Sequence, residues 1–337
     1  MYTTSMFDWL RRASLVLLVA GVVSTSALAQ NFVGVYKSGG LDAYVAEFET
    51  ATGNRTGPGG YLDAGDHIKF ADMGAMTFSP DGSLWGVYRS GGTGAFFGQF
   101  DYATGERTGN GSYLNAGDPI TFNSIGAMTF APDGTAWGVY RSGGSNAFFG
   151  QFDPSTGDRI SNGGYLDAGG MLAFNEVAAM TFAPDGTLWG VYRSGGGHAF
   201  LAQFDPMTGH RIGVGGYLSA GNLLAFDDVG ALAFDANGVL WGAYKASDGD
   251  AFFGQFDRLT GLRIGTGVFP QAGEHTPFSN LGAVTFEPVS AAAVPEPAAW
   301  ATMVFGFGAI GGALRGRKTV ATRPSTHKRS HSRIEAS

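Results

Sequence analysis

From residue 30 to about residue 290, apolar and polar positions alternate in short runs that stop at Gly, Pro, Asp or Asn. This pattern predicts short β-strands joined by tight turns. One stretch shows the unit. Ala127 to Phe130 is a strand, called a, ended by the turn at Pro132-Asp133-Gly134. Ala136 to Arg141 is strand b, with Trp137 and Val139 in alternation, followed by a Ser-Gly-Gly turn from Ser142. Ala147 to Asp153 is strand c, ended by Pro-Ser-Thr-Gly, and Arg159 to about Leu166 is strand d.

The unit recurs. Ala75-Met76-Thr77-Phe78 returns at Ala127, at Ala179, loosely at Ala231 and in part at Ala283, each step being 52 residues. Gly-Val-Tyr at Gly34, Gly86, Gly138 and Gly190, with Gly-Ala-Tyr at Gly242, keeps the same interval. Four antiparallel strands repeated at this length read as a propeller blade. The first copy begins at Phe32 with strand b, and the last ends at Leu281 to Phe286 with a lone strand a. The expected fold is therefore all-β, a five-bladed β-propeller closed by a C-terminal strand that completes the first blade. Closure removes free sheet edges, and no distinct capping repeat is visible. Trp85, Trp137, Trp189 and Trp241 share one register and Phe100, Phe152, Phe204 and Phe256 another, which places them in the core between blades.

Composition agrees with this outline. Glycine supplies 56 residues, aromatics 13% and charged residues only 15%, which suits tight turns and large rings between sheets. The absence of cysteine excludes disulfides, thiol nucleophiles and thiolate metal sites. Residues 30–297 hold 26 Asp and Glu against 12 Lys and Arg, a net of −14, so phosphate backbones would be repelled and nucleic acid is excluded as a partner.

The two ends read as addresses. Arg11 and Arg12, the apolar run Ala13 to Val23 and Ala27-Leu28-Ala29 make a signal peptide over residues 1–29, cut before Gln30. At the other end, a linker (289–297) carries Pro295-Glu296-Pro297. Then come Trp300, an apolar stretch to Leu314 and the basic cluster Arg315, Arg317 and Lys318. Residues 298–314 would reach about 25 Å as a helix, enough for a thin bilayer. The pattern over 295–318 resembles the PEP-CTERM sorting signal, in the variant with Trp-Ala after the PEP motif. The resemblance implies a Gram-negative source and recognition by an exosortase. It further implies transient anchoring in the inner membrane by the C-terminal helix, then delivery to the cell surface or exopolysaccharide matrix. The chain departs from that family in running on from Thr319 to Ser337, a polar tail expected to be disordered.

Ten of the twelve basic residues of the body fall in two registers. Lys37, Arg89, Arg141, Arg193 and Lys245 end strand b; Arg55, Arg107, Arg159, Arg211 and Arg263 open strand d. Glu49, Asp101, Asp153, Asp205 and Asp257 end strand c, and the expectation is that they ion-pair with the second register and cap the c–d turn. The b–c turns and d–a connections emerge on one face. That face is the candidate binding surface, with Lys37, Arg89, Arg141, Arg193, Lys245, Asp66, Asp118, Glu274, His67 and His275 as candidate ligand-binding residues. His67 and His275 hold equivalent positions in neighbouring blades. No metal motif, phosphate-binding loop or nucleophile elbow appears, so no catalytic residue, metal or cofactor is expected. The Ser79-Pro80-Asp81-Gly82 turn differs from the Asp-box of sialidase propellers in having its Asp and Gly adjacent, so no sialidase chemistry is carried over.

The sequence thus leads to a non-enzymatic, exported module that binds glycan or another matrix component, or acts as a scaffold. The alternative is a glycan hydrolase or lyase using carboxylates around the ring axis, which needs two at a defined separation.

Overall fold

The computed structural model describes residues 30–288, apart from 39, 90, 91, 110, 142, 143, 162 and 214. These residues belong to the first of two compact units, Met1–Ser290; the second, Ala291–Ser337, lies outside the described residues, as do the expected signal peptide and sorting signal.

Twenty strands form five four-stranded antiparallel sheets. Blade 1 is built from β1 (Phe32–Lys37), β2 (Ala43–Phe48) and β3 (Arg55–Tyr61). Blade 2 contains β4 (Met73–Phe78), β5 (Leu84–Arg89), β6 (Ala95–Phe100) and β7 (Ser112–Tyr113). Blade 3 contains β8 (Ile125–Phe130), β9 (Ala136–Arg141), β10 (Ala147–Phe152) and β11 (Arg159–Ser161). Blade 4 contains β12 (Val177–Phe182), β13 (Leu188–Ser194), β14 (His198–Phe204) and β15 (Gly216–Tyr217). Blade 5 contains β16 (Val229–Phe234), β17 (Leu240–Lys245), β18 (Ala251–Phe256) and β19 (Arg263–Val268). The last strand, β20 (Leu281–Phe286), pairs antiparallel with β1, joining Phe32 to Phe286 and Gly34 to Val284, and so completes blade 1. The five innermost strands β20, β4, β8, β12 and β16 touch one another in a cycle, which is the five-bladed propeller expected from the repeat.

The core lies between blades, in five equivalent apolar clusters. Trp137 stacks on Phe149 of its own blade (5.1 Å, 14°) and meets Phe182 of the next (6.4 Å). Trp241 repeats this with Phe253 and with Phe286 of β20, so the closing strand takes the same place as any innermost strand. The glycine of each Gly-Val-Tyr is required by this packing. A Cβ on Gly34, Gly86, Gly138, Gly190 or Gly242 would come within 3.0–3.3 Å of the strand-c phenylalanine ring.

A second seam was not visible in the sequence. Where strand d ends, its backbone bonds to the c–d hairpin of the next blade: Asn115 N–H to Gly157 O (2.9 Å) and Arg159 N–H to Asn115 O (2.8 Å). Equivalent pairs join all five blades. They include Gln271 N–H to Gly53 O (2.7 Å) and Arg55 N–H to Gln271 O (3.0 Å) across the junction of blades 5 and 1. The ring is therefore closed twice, at the axis and at the rim. Strand d runs Arg55–Tyr61 in blade 1 and Arg263–Val268 in blade 5, and its pairing with strand c shifts register after the arginine, between Ala46 and Phe48 and between Gly254 and Gln255.

Candidate functional site

The face that carries the b–c turns and the d–a connections is assembled the same way in blades 1 to 4, while in blade 5 Pro270 stands at the anchor position and has no N–H to donate. The first residue of strand c is clamped by the d–a segment: Leu62 N–H donates to Ala43 O (2.9 Å) and Ala43 N–H to Ile68 O (2.8 Å). Leu62, Leu114, Leu166 and Leu218 anchor these segments, each buried to 1% exposure or less. Between anchors the chain makes a tight loop, held by Asp63, Asn115 and Asp167, whose Oδ1 atoms accept from Gly65, Gly117 and Gly169 N–H. Next comes a 3-10 turn that leads into strand a: Phe70–Asp72, Phe122–Ser124, Phe174–Glu176, Phe226–Asp228 or Phe278–Asn280.

These turns decide the state of the first basic register. Arg89 is ion-paired and hydrogen-bonded to Asp72. Arg193 pairs with Asp227 of the next blade at 2.9 Å and lies over Phe226 at 4.6 Å. Lys245 pairs with Asp228 at 3.4 Å. Arg141 donates to the Ser124 hydroxyl at 2.9 Å. Lys37 has no carboxylate partner among the described residues, its 3-10 position being Asn280. Three of the five cations are thus matched by carboxylates that the sequence reading did not connect with them. For Arg89 and Lys245 the signal was present, since Asp72, Ser124, Glu176, Asp228 and Asn280 also keep the 52-residue interval, whereas Asp227, which holds Arg193, lies outside it.

Asp66, Asp118 and Glu274 sit exposed at the tips of the d–a loops of blades 1, 2 and 5. They are not among the residues that line the cavities along the axis, where the carboxylates present are Asp235 and Glu287. His67 stacks on Tyr61 (4.9 Å, 17°) with Asp42 at 3.7 Å and Asp63 at 3.8 Å. His275 stacks on Phe269 (4.6 Å, 6°) with Asp250 at 3.3 Å. Each histidine therefore belongs to its own blade's aromatic platform. In blades 2 and 3 the platforms are Tyr113 and Tyr165, each edge-on to a strand-c phenylalanine, Phe96 at 5.4 Å and Phe148 at 5.2 Å. Their exposures are 46% and 40%. The described residues contain no group of three or more His, Asp or Glu placed to hold a metal ion.

The expected ion pairs between the second basic register and the strand-c acids do not form. The acids cap their turns, as Asp153 Oδ1 accepts from Ser155 N–H at 2.8 Å and from the Ser155 hydroxyl at 2.6 Å. The arginines reach across the sheet instead. Arg55, Arg107, Arg159, Arg211 and Arg263 donate to the hydroxyls of Tyr36, Tyr88, Tyr140, Tyr192 and Tyr244 at 2.6–3.2 Å. Each also lies over a strand-c ring, 5.5–5.9 Å from its centre. Burial raises the phenols of Tyr36, Tyr88, Tyr140 and Tyr244 above their ordinary value, against the lowering pull of the arginine beside each.

No family model and no curated protein matches the chain. Solved structures do. A protein of unknown function from Bacteroides caccae is similar with a TM-score of 0.38 and 12% identity, over 70% of this chain and 72% of that one. A PQQ-bound aldose sugar dehydrogenase from Streptomyces coelicolor is similar with a TM-score of 0.33 and 17% identity, over 64% and 71%. A luciferin-regenerating enzyme is similar with a TM-score of 0.36 and 10% identity, over 72% and 78%. The expectation of a non-enzymatic protein is corrected on this finding, because enzymes stand among the proteins of similar fold. At such identities the likeness transfers no activity, substrate or cofactor.

Proposed function

We propose that this chain is exported, sorted to the bacterial surface or exopolysaccharide matrix, and binds glycan there through the face of b–c turns and d–a loops. The observation that carries the reading is the run from Pro295-Glu296-Pro297 through Trp300 to Arg315, Arg317 and Lys318, which resembles the signal read by exosortases. The partial exposure of the Tyr113 and Tyr165 side chains, 46% and 40%, supports the binding part. A tyrosine held edge-on by a half-buried phenylalanine offers an apolar plane with a polar rim, which suits a sugar ring. Repetition around the ring would let weak single sites act together.

The test is retention of the 30–288 ring on polysaccharide from the producing strain. Retention is expected for the wild-type ring and loss of most of it for the double variant Tyr113→Ala, Tyr165→Ala. No retention of the wild-type ring sinks the glycan reading. The mass of the mature protein tests the sorting part, with an N-terminus at Gln30 expected.

A further inference from the structure

The a–b turns and c–d hairpins emerge on the face opposite the d–a loops, and one junction there carries a cation of the chain's own. Arg258, in the c–d hairpin of blade 5, donates to Asp185 Oδ2 of blade 4 at 3.0 Å. Its guanidinium lies over the Trp189 ring at 5.8 Å. The seat is built entirely by blade 4. The Trp189 indole N–H donates to the Thr187 hydroxyl at 2.9 Å, and Thr187 donates to Asp185 Oδ1 through its hydroxyl and its backbone N–H. These bonds fix the carboxylate and leave Oδ2 for the arginine. The Arg258 side chain stays 39% exposed, so the guanidinium is held without being stripped of its water.

The same seat stands one blade earlier. The Trp137 indole N–H donates to the Thr135 hydroxyl at 2.9 Å, and Thr135 donates to Asp133 Oδ1 through its hydroxyl (2.7 Å) and its backbone N–H (3.0 Å). Each of these residues lies 52 positions before its counterpart. What differs is the cation. Position 258 corresponds to Thr50, Tyr102, Pro154 and Pro206 in the other hairpins, so only blade 5 brings a basic side chain to this place. Where Pro206 replaces the arginine, a groove of about 520 Å³ opens between blades 3 and 4. Asp133, Thr135 and Trp137 line one side of it, and Pro184, Asp185 and Met207 the other. Asp133 is exposed, and among the described residues its Oδ2 has neither an ion pair nor a hydrogen bond.

We infer that the groove between blades 3 and 4 is a docking site for an arginine side chain of a partner protein, seated on Asp133 and Trp137 as Arg258 is seated on Asp185 and Trp189. The acidic body, with its net charge of −14 over residues 30–297, favours a basic partner. Arginine suits the seat better than lysine, because its planar fork bonds a carboxylate while stacking on a ring. A guanidinium fills only part of the groove. The rest, walled by Pro132, Pro184, Pro206 and Met207, suits an apolar residue beside the arginine. This groove lies on the face away from the tyrosine platforms, and its failure leaves the glycan reading untouched.

The test follows the indole N–H signals of the 30–288 ring by NMR, with Trp137 and Trp189 assigned through their Phe variants. That range contains every strand, all five apolar clusters and both seams. The probes are acetyl-Gly-Arg-Leu-Gly-amide, the same peptide with neutral citrulline in place of arginine, and methylguanidinium. A saturable shift of the Trp137 signal by the arginine peptide is expected, with the citrulline peptide about fivefold or more weaker. Methylguanidinium, which lacks the flanking leucine, is expected to be about threefold or more weaker. Pro206→Arg should fill the seat from within and abolish the response, and Asp133→Asn should weaken it about fivefold. Arg258→Pro should make the Trp189 signal respond as Trp137 does in the wild-type ring. Retention on polysaccharide is expected to be unchanged in all three variants. No saturable shift of Trp137, or equal binding of the citrulline peptide, overturns the inference. Methylguanidinium binding as tightly as the arginine peptide overturns it too, assigning the groove to a small cation. If Pro206→Arg does not fold, Asp133→Asn decides alone, and an undiminished response there overturns the seat.

Discussion

Tyr140 and Arg159 show how far residue identities alone define a contact here. The Tyr140 hydroxyl accepts from Arg159 Nη1 at 2.6 Å while the guanidinium lies over Phe148 at 5.6 Å. Tyr140→Phe keeps the ring and removes the acceptor, so it is expected to lower unfolding stability by about 1 kcal/mol in urea titration. An unchanged midpoint would show the bond to be idle. The sequence displayed both the arginine and the acidic registers but not their partners. Asp153 is occupied by its own turn, and a long arginine side chain reaches a tyrosine two strands away. The turn carboxylates also define a pH dependence. Asp81, Asp133 and Asp185 sit below the ordinary aspartate value, held there first by the Ser79 hydroxyl, the Thr135 amide and the Thr187 hydroxyl respectively. Because the folded values are depressed, this stabilisation is present above the unfolded aspartate value of about 3.9 and is lost as pH falls towards the folded values. Melting temperature should therefore fall on acidification below about pH 4. Asp133→Asn should flatten that slope, and a slope identical to wild type would assign the acid loss to other groups.

At the scale of elements, two glycine-bearing turns look alike in sequence and differ in space. Gly134 in the a–b turn has φ +87° with nothing within 4 Å of the point a Cβ would occupy, so only its backbone conformation favours glycine. Gly157 in the c–d hairpin has φ +76°, and a Cβ there would also run into the Tyr113 carbonyl of the preceding blade. Gly134→Ala is accordingly expected to cost about 1–2 kcal/mol from the left-handed backbone alone. Gly157→Ala should cost clearly more and loosen the rim seam. Denaturant midpoints for the pair decide it, and equal losses would mean that the rim contact adds nothing. Strands a, b and c were readable from alternation and turn residues because their two faces are packed on neighbouring blades. Strand d was readable in place, opening at its arginine, but its rim partner was not: the residue that follows it, such as Asp63 or Asn115, bonds by backbone to the c–d hairpin of the next blade, and a backbone bond leaves no side-chain pattern from which a partner could be read. The 3-10 turns were missed for a related reason: at three residues each, they are too short to show a helical period.

For the whole molecule the question is what holds a ring with neither a disulfide nor a covalent junction. The inner seam is β20 on β1, and Phe286 lies between Phe32 (6.5 Å), Trp241 (5.8 Å) and Phe253 (5.8 Å), joining blade 5 to blade 1. This closure was legible because the strand missing before Phe32 is the strand left over at Leu281. The rim seam from Gln271 to Gly53 and Arg55 adds a second lock that only the structure reveals. If β20 acts through its place and not through its chain order, a permuted ring should keep the fold. Residues 281–287 placed ahead of Asn31 by a short turn would supply the same strand as an ordinary a–b hairpin. This permutant is expected to unfold in one cooperative step near the wild-type midpoint. Deletion of 281–288 should instead expose Phe32, Trp241 and Phe253, broaden the transition and promote association through the bare edge of β1. Were the deletion to melt as sharply as wild type, the rim seam alone would be holding the ring. Were the permutant to fail where the deletion succeeds, the order of strand addition during folding would govern closure, and not the final set of contacts.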